Sequence, residues 1–372
     1  MSEFKFPPIS TLSGSTLASY SRTVRGRLIE QKYYRKYLLT KLILFGAAPF
    51  HFWENLTINR KAKNYKGEIS PLFILGHWRS GTTLLHNLLC QADDAAFIST
   101  YQSVFPNNLQ SKWIFKNFMK TNMPAKRPSD NVKLSIDFPQ EDEFALGNVM
   151  PHSYYNFFYF PKDHQEYYEK YVRFNTFNKM ELEEWGSVYK TLITKAVMNS
   201  KGSRVILKNP VNTGRLKYLS ELYPNSNFIH IYRNPVVVYL STKKFFKALM
   251  PTLWMHEVDD SFIIDLIFDV YEKMYSDYFS QKTKVSNNRI YELKFENFEK
   301  DPIAHLKEVY SFFGYADFEK QLPNFEKYYN SLKGYKKNKY TISQSELDRI
   351  EASWGFALNK WNYNLPKNME VV

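Results

Sequence analysis

One short segment, PLFILGHWRSGTTLLHNLL at residues 71–89, constrains the fold of this chain more than any other. Its residues 72–75 form a continuous apolar run of the kind found in buried parallel strands. Gly76 and Gly81 then allow a tight backbone turn, and a leucine-rich helix is predicted to begin near Thr82. A strand, a glycine turn and a helix N-terminus bring backbone N–H groups together, so the segment predicts a phosphate-binding loop.

The loop has the G-x-x-x-x-G spacing of nucleoside-triphosphate loops, but it lacks their lysine. Kinases and ATPases place that lysine after the second glycine and use it on the β- and γ-phosphates. Here Thr82 and Thr83 stand in its place, and the cation of the loop is Arg79. A kinase-like phosphoryl transferase is therefore only an alternative, as is a chance strand, turn and helix capped by threonine.

A second segment, residues 203–246, predicts the order strand, helix, strand, helix. Its first strand, at residues 205–207, ends at Lys208, and leucines at helical spacing continue up to Pro224. The segment therefore adds further strands and helices to an α/β fold, with a lysine at one strand end.

The second strand of this segment, residues 228–232, ends at an arginine. Asn234 can cap the helix that Pro235 opens, and Ser241 lies within two turns on that helix. Arg233 and Ser241 are therefore candidates for a second anion site. An arginine at a strand end is also typical of a solvated cap. The pair therefore indicates an anion site only in combination with the phosphate-binding loop that precedes it in the chain.

Together the two segments resemble the sulfotransferase family, and most closely its bacterial branch with a GHWRSGTTLLHNLL loop. The resemblance extends over roughly residues 70–340. It implies a three-layer, P-loop-like α/β fold with a central parallel sheet flanked by helices. It also implies transfer of a sulfuryl group from 3′-phosphoadenosine-5′-phosphosulfate (PAPS) to a hydroxyl group, with PAP as the product and no metal.

The resemblance gives roles to residues of both segments. PAPS carries a phosphate on its ribose besides the phosphosulfate, so the protein needs two separate anion sites. Lys208 is the candidate for the bridging oxygen or the transferring group. The residues implied for the 5′-phosphosulfate are Arg79, Ser80, Gly81, Thr82 and Thr83, and those implied for the 3′-phosphate are Arg233 and Ser241.

The chain departs from the family at its C-terminal nucleotide motif. The Gly-x-x-Gly-x-Trp-Lys pattern of cytosolic members is not recognisable here. A basic stretch that contains Lys336 and Lys337 is a candidate replacement near the nucleotide. A solvated lysine run explains the same residues equally well.

The chain also departs from the family at the catalytic histidine, since Asn209 and Pro210 follow Lys208. The general base must therefore come from elsewhere, and the candidate is the acidic cluster, defined as Glu141, Asp142 and Glu143. Partial burial beside apolar neighbours would raise the pKa of one of these carboxyl groups towards a useful range. The alternative is a helix N-terminus that is acidic for dipole reasons.

Three histidines are further candidates for the base. His77 lies inside the loop, so it could instead contact the phosphosulfate. His86 follows on the predicted helix and could equally pack there, and His152 lies beyond the acidic cluster.

The length of 372 residues fits one larger α/β domain with an extension. We expect a helical extension at residues 1–66 and a sulfotransferase domain at residues 67–372, with an aromatic-rich insertion at about residues 100–200. The rings between Tyr154 and Phe174 predict the wall or lid of a pocket for a hydrophobic, sterol- or lipid-like alcohol. Ordinary core packing is the alternative for these rings.

The net charge of +13 suits an enzyme that binds a polyanionic donor, although nucleic-acid binding explains it as well. No recognisable nucleic-acid module interrupts the α/β pattern, so we expect no nucleic-acid partner. A non-catalytic basic protein that binds nucleotides or nucleic acid stays an alternative. The sequence leaves the oligomeric state open.

Cellular location is predicted from the cysteine content and the N-terminal segment. The single cysteine, Cys90, excludes an internal disulfide, and no cleavable signal is visible, so we expect a cytoplasmic enzyme. The apolar run at residues 37–52 follows a basic stretch but falls short of the ~20 apolar residues that cross a bilayer. It could rest on an anionic membrane surface as a peripheral contact or pack on its own domain.

Overall fold

The computed structural model describes residues 9–123, 135–200, 202–332, 341–366 and 369–371. The helices in these ranges are α1 (Leu17–Val24), α2 (Tyr34–Glu54), α3 (Arg60–Lys63), α4 (Thr82–Leu89), α5 (Thr100–Val104), α6 (Lys112–Asn122), α7 (Asp142–Val149), α8 (His164–Tyr171), α9 (Lys179–Ser200), α10 (Leu216–Leu222), α11 (Pro235–Leu253), α12 (Asp260–Lys282), α13 (Phe295–Phe298), α14 (Pro302–Phe312), α15 (Phe318–Ser331) and α16 (Gln344–Lys360). The strands are β1 (Leu72–Leu75), β2 (Ala95–Ala96), β3 (Arg204–Lys208), β4 (Asn227–Tyr232), β5 (Ile290–Lys294), β6 (Thr341–Ile342) and β7 (Glu370–Val371).

The larger sheet has five strands in the order β2-β3-β1-β4-β5. Leu72 of β1 lies opposite Asn227 of β4, and Phe228 of β4 lies opposite Ile290 of β5, with both pairs of strands parallel. All four residues of β1 are buried, as in a parallel sheet covered on both faces. The carboxyl ends of β1, β4 and β5 therefore meet at one edge of the sheet, the edge where α/β folds bind ligands.

The local predictions from the two segments are confirmed. The strand at 72–75, the helix beginning at Thr82 and the strand that ends at Lys208 are all present. The helix opened by Pro235 follows β4. The α/β class and the parallel arrangement of β1, β4 and β5 are confirmed as well.

Two compact units make up the chain. The first contains the described parts of residues 1–69, 96–207 and 245–260, and the second those of residues 70–95, 208–244 and 261–372. The phosphate loop and the Arg233–Ser241 segment both belong to the second unit. Parts of the N-terminal extension and of the aromatic-rich insertion belong to the first, and the predicted domain boundary at residue 66 stays a prediction.

The first unit has an aromatic core of its own. The rings of Phe157 and Phe158 have centroids 4.1 Å apart, and Trp185 of α9 stacks on Tyr189 at 4.8 Å. These four side chains are buried. Burial is what ordinary core packing requires, and a role of the insertion as an acceptor pocket stays a prediction.

Among the described helices, none combines the length and the apolar character needed to cross a membrane.

Candidate functional site

The loop between β1 and α4 turns on two glycines. Gly76 has φ 136°, and a Cβ atom there would lie 2.3 Å from the carbonyl oxygen of Ile231 in β4. Gly81 has φ 95°, and a Cβ atom there would lie 2.1 Å from the ring of Phe295. Both positions therefore need glycine for its conformation and for the close approach of neighbours, as the sequence predicts.

Arg79 is the cation of this loop and has an unusual backbone. Its φ of 68° lies in the left-handed region, which is uncommon for residues other than glycine. Its Nε donates a hydrogen bond to Oγ of Ser241 on α11 at 2.9 Å. A strained backbone that is held by a specific bond is typical of functional sites, and here it sets the direction of the guanidinium group.

Arg233 joins the same group from the end of β4. Its Nη1 donates to the carbonyl oxygen of Arg79 at 3.1 Å. Its guanidinium carbon lies 4.4 Å from the centroid of the Phe295 ring, which supports the flat face of the group. Arg79 and Arg233, called the arginine pair below, therefore lie together with Ser241 at the carboxyl ends of β1 and β4.

The chain after Arg233 is fixed by two residues that sequence reasoning did not single out. Oδ1 of Asn234 accepts from the N–H of Val236, which is the predicted helix cap. The N–H of Asn234 donates to one oxygen of Glu296 at 3.0 Å, and the hydroxyl of Tyr363 donates to the other at 2.5 Å. Glu296 thereby positions the backbone that carries Arg233.

The start of α4 offers N–H groups to a ligand. Ser80 and Thr82 are buried, while Thr83 is half-buried. The N–H groups of Leu84 and Leu85 donate to the carbonyl of Gly81, at 3.1 and 3.3 Å. The earlier N–H groups of a helix have no intrahelical acceptor, so this end of α4 can bind an anion.

His77 lies buried within the loop. Its backbone N–H donates to the hydroxyl of Tyr275 at 3.3 Å, and its ring Nδ1 lies 3.0 Å from the carbonyl oxygen of Trp78. Burial lowers the pKa of the imidazole to about 3, so the ring is neutral at physiological pH. A neutral imidazole adds no charge to the loop and is a weak proton acceptor, and any catalytic role of His77 stays a prediction.

Lys208 ends β3 and is buried. The chain after it turns at once, because Oδ1 of Asn209 accepts from the N–H of Val211 at 3.1 Å. In this turn, Oγ1 of Thr213 accepts from the N–H of Gly76 at 2.8 Å. The segment that follows Lys208 is therefore bonded directly to the phosphate loop.

The acidic cluster lies in the first unit at the start of α7. Glu141 occupies the N-cap position, and Asp142 and Glu143 lie in the first turn. This is the position that the helix-dipole alternative predicts. All three side chains are also buried, which is the condition on which the general-base hypothesis depends.

The three carboxylates have different partners. Glu141 accepts a hydrogen bond from the hydroxyl of Tyr155 at 2.5 Å, and Asp142 accepts one from a tyrosine hydroxyl on α9. Glu143 accepts from the Ser153 hydroxyl at 2.9 Å and from the Tyr154 N–H at 2.8 Å. Glu141 remains 9% exposed, whereas the other two side chains are 0% exposed. A general-base role for the cluster stays a prediction.

Two further predictions concern the basic stretch near the C-terminus and metal binding. Lys336 and Lys337 lie outside the described residues. In the part of the chain that the structure describes, no group of three or more His, Cys, Asp or Glu side chains could hold a metal ion.

The matching family model and the matching sequence relatives are all sulfotransferases. A family model described as the sulfotransferase family matches residues 71–320. The chain is 31% identical over 313 residues to the omega-hydroxy-beta-dihydromenaquinone-9 sulfotransferase Stf3 of Mycobacterium bovis, which covers 84% of this chain and 80% of that protein. The protein of the same name from Mycobacterium tuberculosis matches with the same values.

Solved structures support the fold. The sulfotransferase STF9 from Mycobacterium avium superposes with a TM-score of 0.73 at 14% identity, over 93% of this chain and 90% of that chain. The sulfotransferase STF1 from Mycobacterium tuberculosis gives a TM-score of 0.61 at 15% identity, over 82% and 84%. At these identities the likeness shows the fold alone, and it confirms the P-loop-like α/β fold that the sequence predicts.

Proposed function

Because the chain belongs to the sulfotransferase family, we propose that it transfers a sulfuryl group from PAPS to a hydroxyl group of a small hydrophobic acceptor. The observation that carries the proposal is the arginine pair, bonded together with Ser241 at the ends of two neighbouring parallel strands. The relatives named for a menaquinone-derived lipid support a sterol- or lipid-like acceptor. We place the enzyme in the cytoplasm.

The described residues fit a donor with two anionic groups. The loop from Arg79 to Thr83 combines a guanidinium group with the N-terminal end of α4, which suits the 5′-phosphosulfate. Arg233 and Ser241 supply a planar fork and a hydroxyl from a helix, which suit the 3′-phosphate. The bond from Arg79 to Ser241 links the two proposed subsites, so that one donor molecule can contact both.

The chemistry follows from the movement of charge. The acceptor oxygen forms a bond to sulfur as the bond from sulfur to the phosphate oxygen breaks, and PAP leaves with that electron pair. Arg79 and the N–H groups at the start of α4 stabilise the negative charge that develops on the leaving phosphate. Each preorganised donor contributes about 2 to 4 kcal/mol to this stabilisation. Lys208 is the proposed donor to the bridging oxygen or to the transferring group.

The acceptor proton must go to a base, and we assign this role within the acidic cluster. Glu141 is the preferred member because it alone of the three keeps some exposure. Glu143 already accepts two hydrogen bonds that fix the backbone at residues 153–154. A base contributes roughly 10²- to 10⁴-fold to such a reaction.

A transfer assay with radiolabelled PAPS tests the proposal. The acceptors are a sterol, a long-chain alcohol and a hydroxylated isoprenoid quinone, each paired with a control that lacks the hydroxyl group. We expect labelled product from at least one hydroxyl acceptor, none from the paired control, and no need for added metal. Absence of product with every hydroxyl acceptor, or transfer from labelled ATP instead, would refute the assignment.

A further inference from the structure

One face of α2 is apolar and exposed. Leu38, Leu42, Phe45 and Phe52 follow one another at spacings of four, three and seven residues, which places them on the same side of a helix. Their exposed fractions lie between 60% and 69%. These four residues are called the α2 face below. Contiguous exposed apolar surface of this kind marks an interaction site rather than ordinary protein surface.

Polar residues on the buried side of the same helix fix its orientation. Oγ1 of Thr40 accepts from the N–H of Ser10 at 2.9 Å. Glu54 forms an ion pair with Lys195 at 2.7 Å, and both side chains are almost fully buried. Turning the α2 face inward would break this buried ion pair, which is strongly unfavourable. These buried contacts of the first unit therefore hold the apolar face towards solvent.

Positive charge surrounds the α2 face. Residues 30–68 contain eight Lys or Arg residues and three acids, of which Glu54 is the buried partner of Lys195 and Glu30 pairs with Lys32. Arg35 before the face and the three cations of α3 after it are exposed, and none of them pairs with an acid among the described residues. Trp53 and Tyr34 are also exposed, and such rings favour the boundary between water and lipid.

We propose that the α2 face rests on the surface of a bilayer that contains anionic lipids. Apolar side chains would enter the boundary between headgroups and acyl chains, while the cations at both ends would face the headgroups. A second copy of this chain is a poorer occupant, because a symmetric contact would bring two positively charged segments together. The inference goes beyond the proposed reaction, since membrane binding needs neither donor nor acceptor.

Vesicle sedimentation of the full chain tests this surface. Vesicles of equimolar phosphatidylcholine and phosphatidylglycerol should bind the protein, vesicles of phosphatidylcholine alone should bind it less, and salt should weaken the binding. The double variant L42E/F45E should lose at least about tenfold in binding, because two charges would enter the lipid boundary. The matched control Met180→Glu, at an exposed position on α9, should bind as the native chain does.

A second variant separates charge from apolar contact. Replacing Arg60, Lys61 and Lys63 together by alanine should weaken binding by about fivefold for each cation that faces the headgroups. Equal binding to neutral and anionic vesicles would overturn the proposal, as would unchanged binding of L42E/F45E.

Folding and self-association are measured on the same proteins. L42E/F45E should keep the native unfolding temperature and the native rate of sulfuryl transfer to a short water-soluble alcohol, which would show that its loss of binding is local. If sedimentation velocity instead shows a dimer of the native chain that L42E/F45E abolishes, and no vesicle binding is found, the α2 face is a contact between copies and the proposal fails. The vesicle result is independent of PAPS, so it can fail while the proposed reaction stands.

Discussion

The arginine pair and the acidic cluster both lie where a helix or strand begins or ends, yet they differ in exposure and in bonding. The two arginines are half-buried, and their hydrogen bonds include one to a loop carbonyl and one to Ser241. The three acids are buried, and each accepts hydrogen bonds from the surrounding fold. The arginine pair therefore keeps surface for a ligand, whereas most of the acidic cluster serves the fold, with Glu141 as the member closest to solvent.

The substitution Glu141→Gln tests most directly whether a member of the acidic cluster is catalytic or structural. The amide keeps an oxygen for the bond from Tyr155 but cannot accept a proton at neutral pH. We expect kcat to fall by roughly 10²- to 10⁴-fold with little change in the unfolding temperature. The control Glu183→Gln changes an exposed carboxylate on α9 and should leave kcat as it is. A native kcat in Glu141→Gln would mean that the whole cluster is structural.

Arg79→Ala tests the catalytic side of the arginine pair. Loss of a preorganised donor at the leaving phosphate should lower kcat by about 10²- to 10³-fold. Steady-state transfer assays measure the effect, and Arg349→Ala is the matched control, because Arg349 pairs with Asp265 on another helix of the same unit. Equal activity of the two variants would remove Arg79 from the site.

Glu143→Ala should report on folding rather than chemistry. The change removes the acceptor for the Ser153 hydroxyl and the Tyr154 N–H, both of which are buried. The Ser153 hydroxyl can still donate to the backbone carbonyl of residue 143. Leaving the Tyr154 N–H without this acceptor costs about 1 to 3 kcal/mol, so denaturant unfolding should show a clear loss of stability. Glu143→Gln, which keeps an acceptor oxygen, should recover part of it. Native stability of Glu143→Ala would contradict a structural role for Glu143.

The pH dependence of stability tests the state of His77. Burial lowers its pKa to about 3 in the folded chain, while the unfolded chain has the ordinary value near 6.5. Below pH 6.5 the unfolded state binds a proton that the folded state does not, so stability falls as the pH drops towards 3, by at most about 1.4 kcal/mol per pH unit. His77→Gln should lose this part of the slope. An identical slope in the two proteins would show that the ring is protonated in the fold.

The sequence patterns were informative where the site is local in the chain. The strand at 72–75, the turns at Gly76 and Gly81, and the helix after Arg233 follow from apolar runs, glycines and a cap, each within about ten residues. The order of the parallel strands then brings Arg233 to Arg79. These features need little information beyond the local pattern.

The supporting residues could not be predicted in the same way. Phe295 and Glu296 reach the site only because β5 pairs with β4, and Tyr363 reaches Glu296 from the far end of the chain. In the folded chain Phe295 directly follows β5, whose carboxyl end lies at the same edge of the sheet. The partners of the acidic cluster could not be predicted either. The hydrogen bond from Tyr189 depends on how α9 packs on α7, and the bond from Tyr155 depends on how residues 154–158 pack there.

The central claim is that Arg233 and Ser241 bind the 3′-phosphate of the donor while the loop binds the 5′ end. Calorimetric titration of PAP and of adenosine 5′-phosphate, without added metal, into the native chain and into Arg233→Ala tests it directly. We expect the native chain to prefer PAP, and we expect Arg233→Ala to lose about tenfold or more in affinity for PAP but little for adenosine 5′-phosphate, because one charge-assisted contact is worth about 1.5 to 3 kcal/mol. Equal affinity of the native chain for the two nucleotides would contradict the claim.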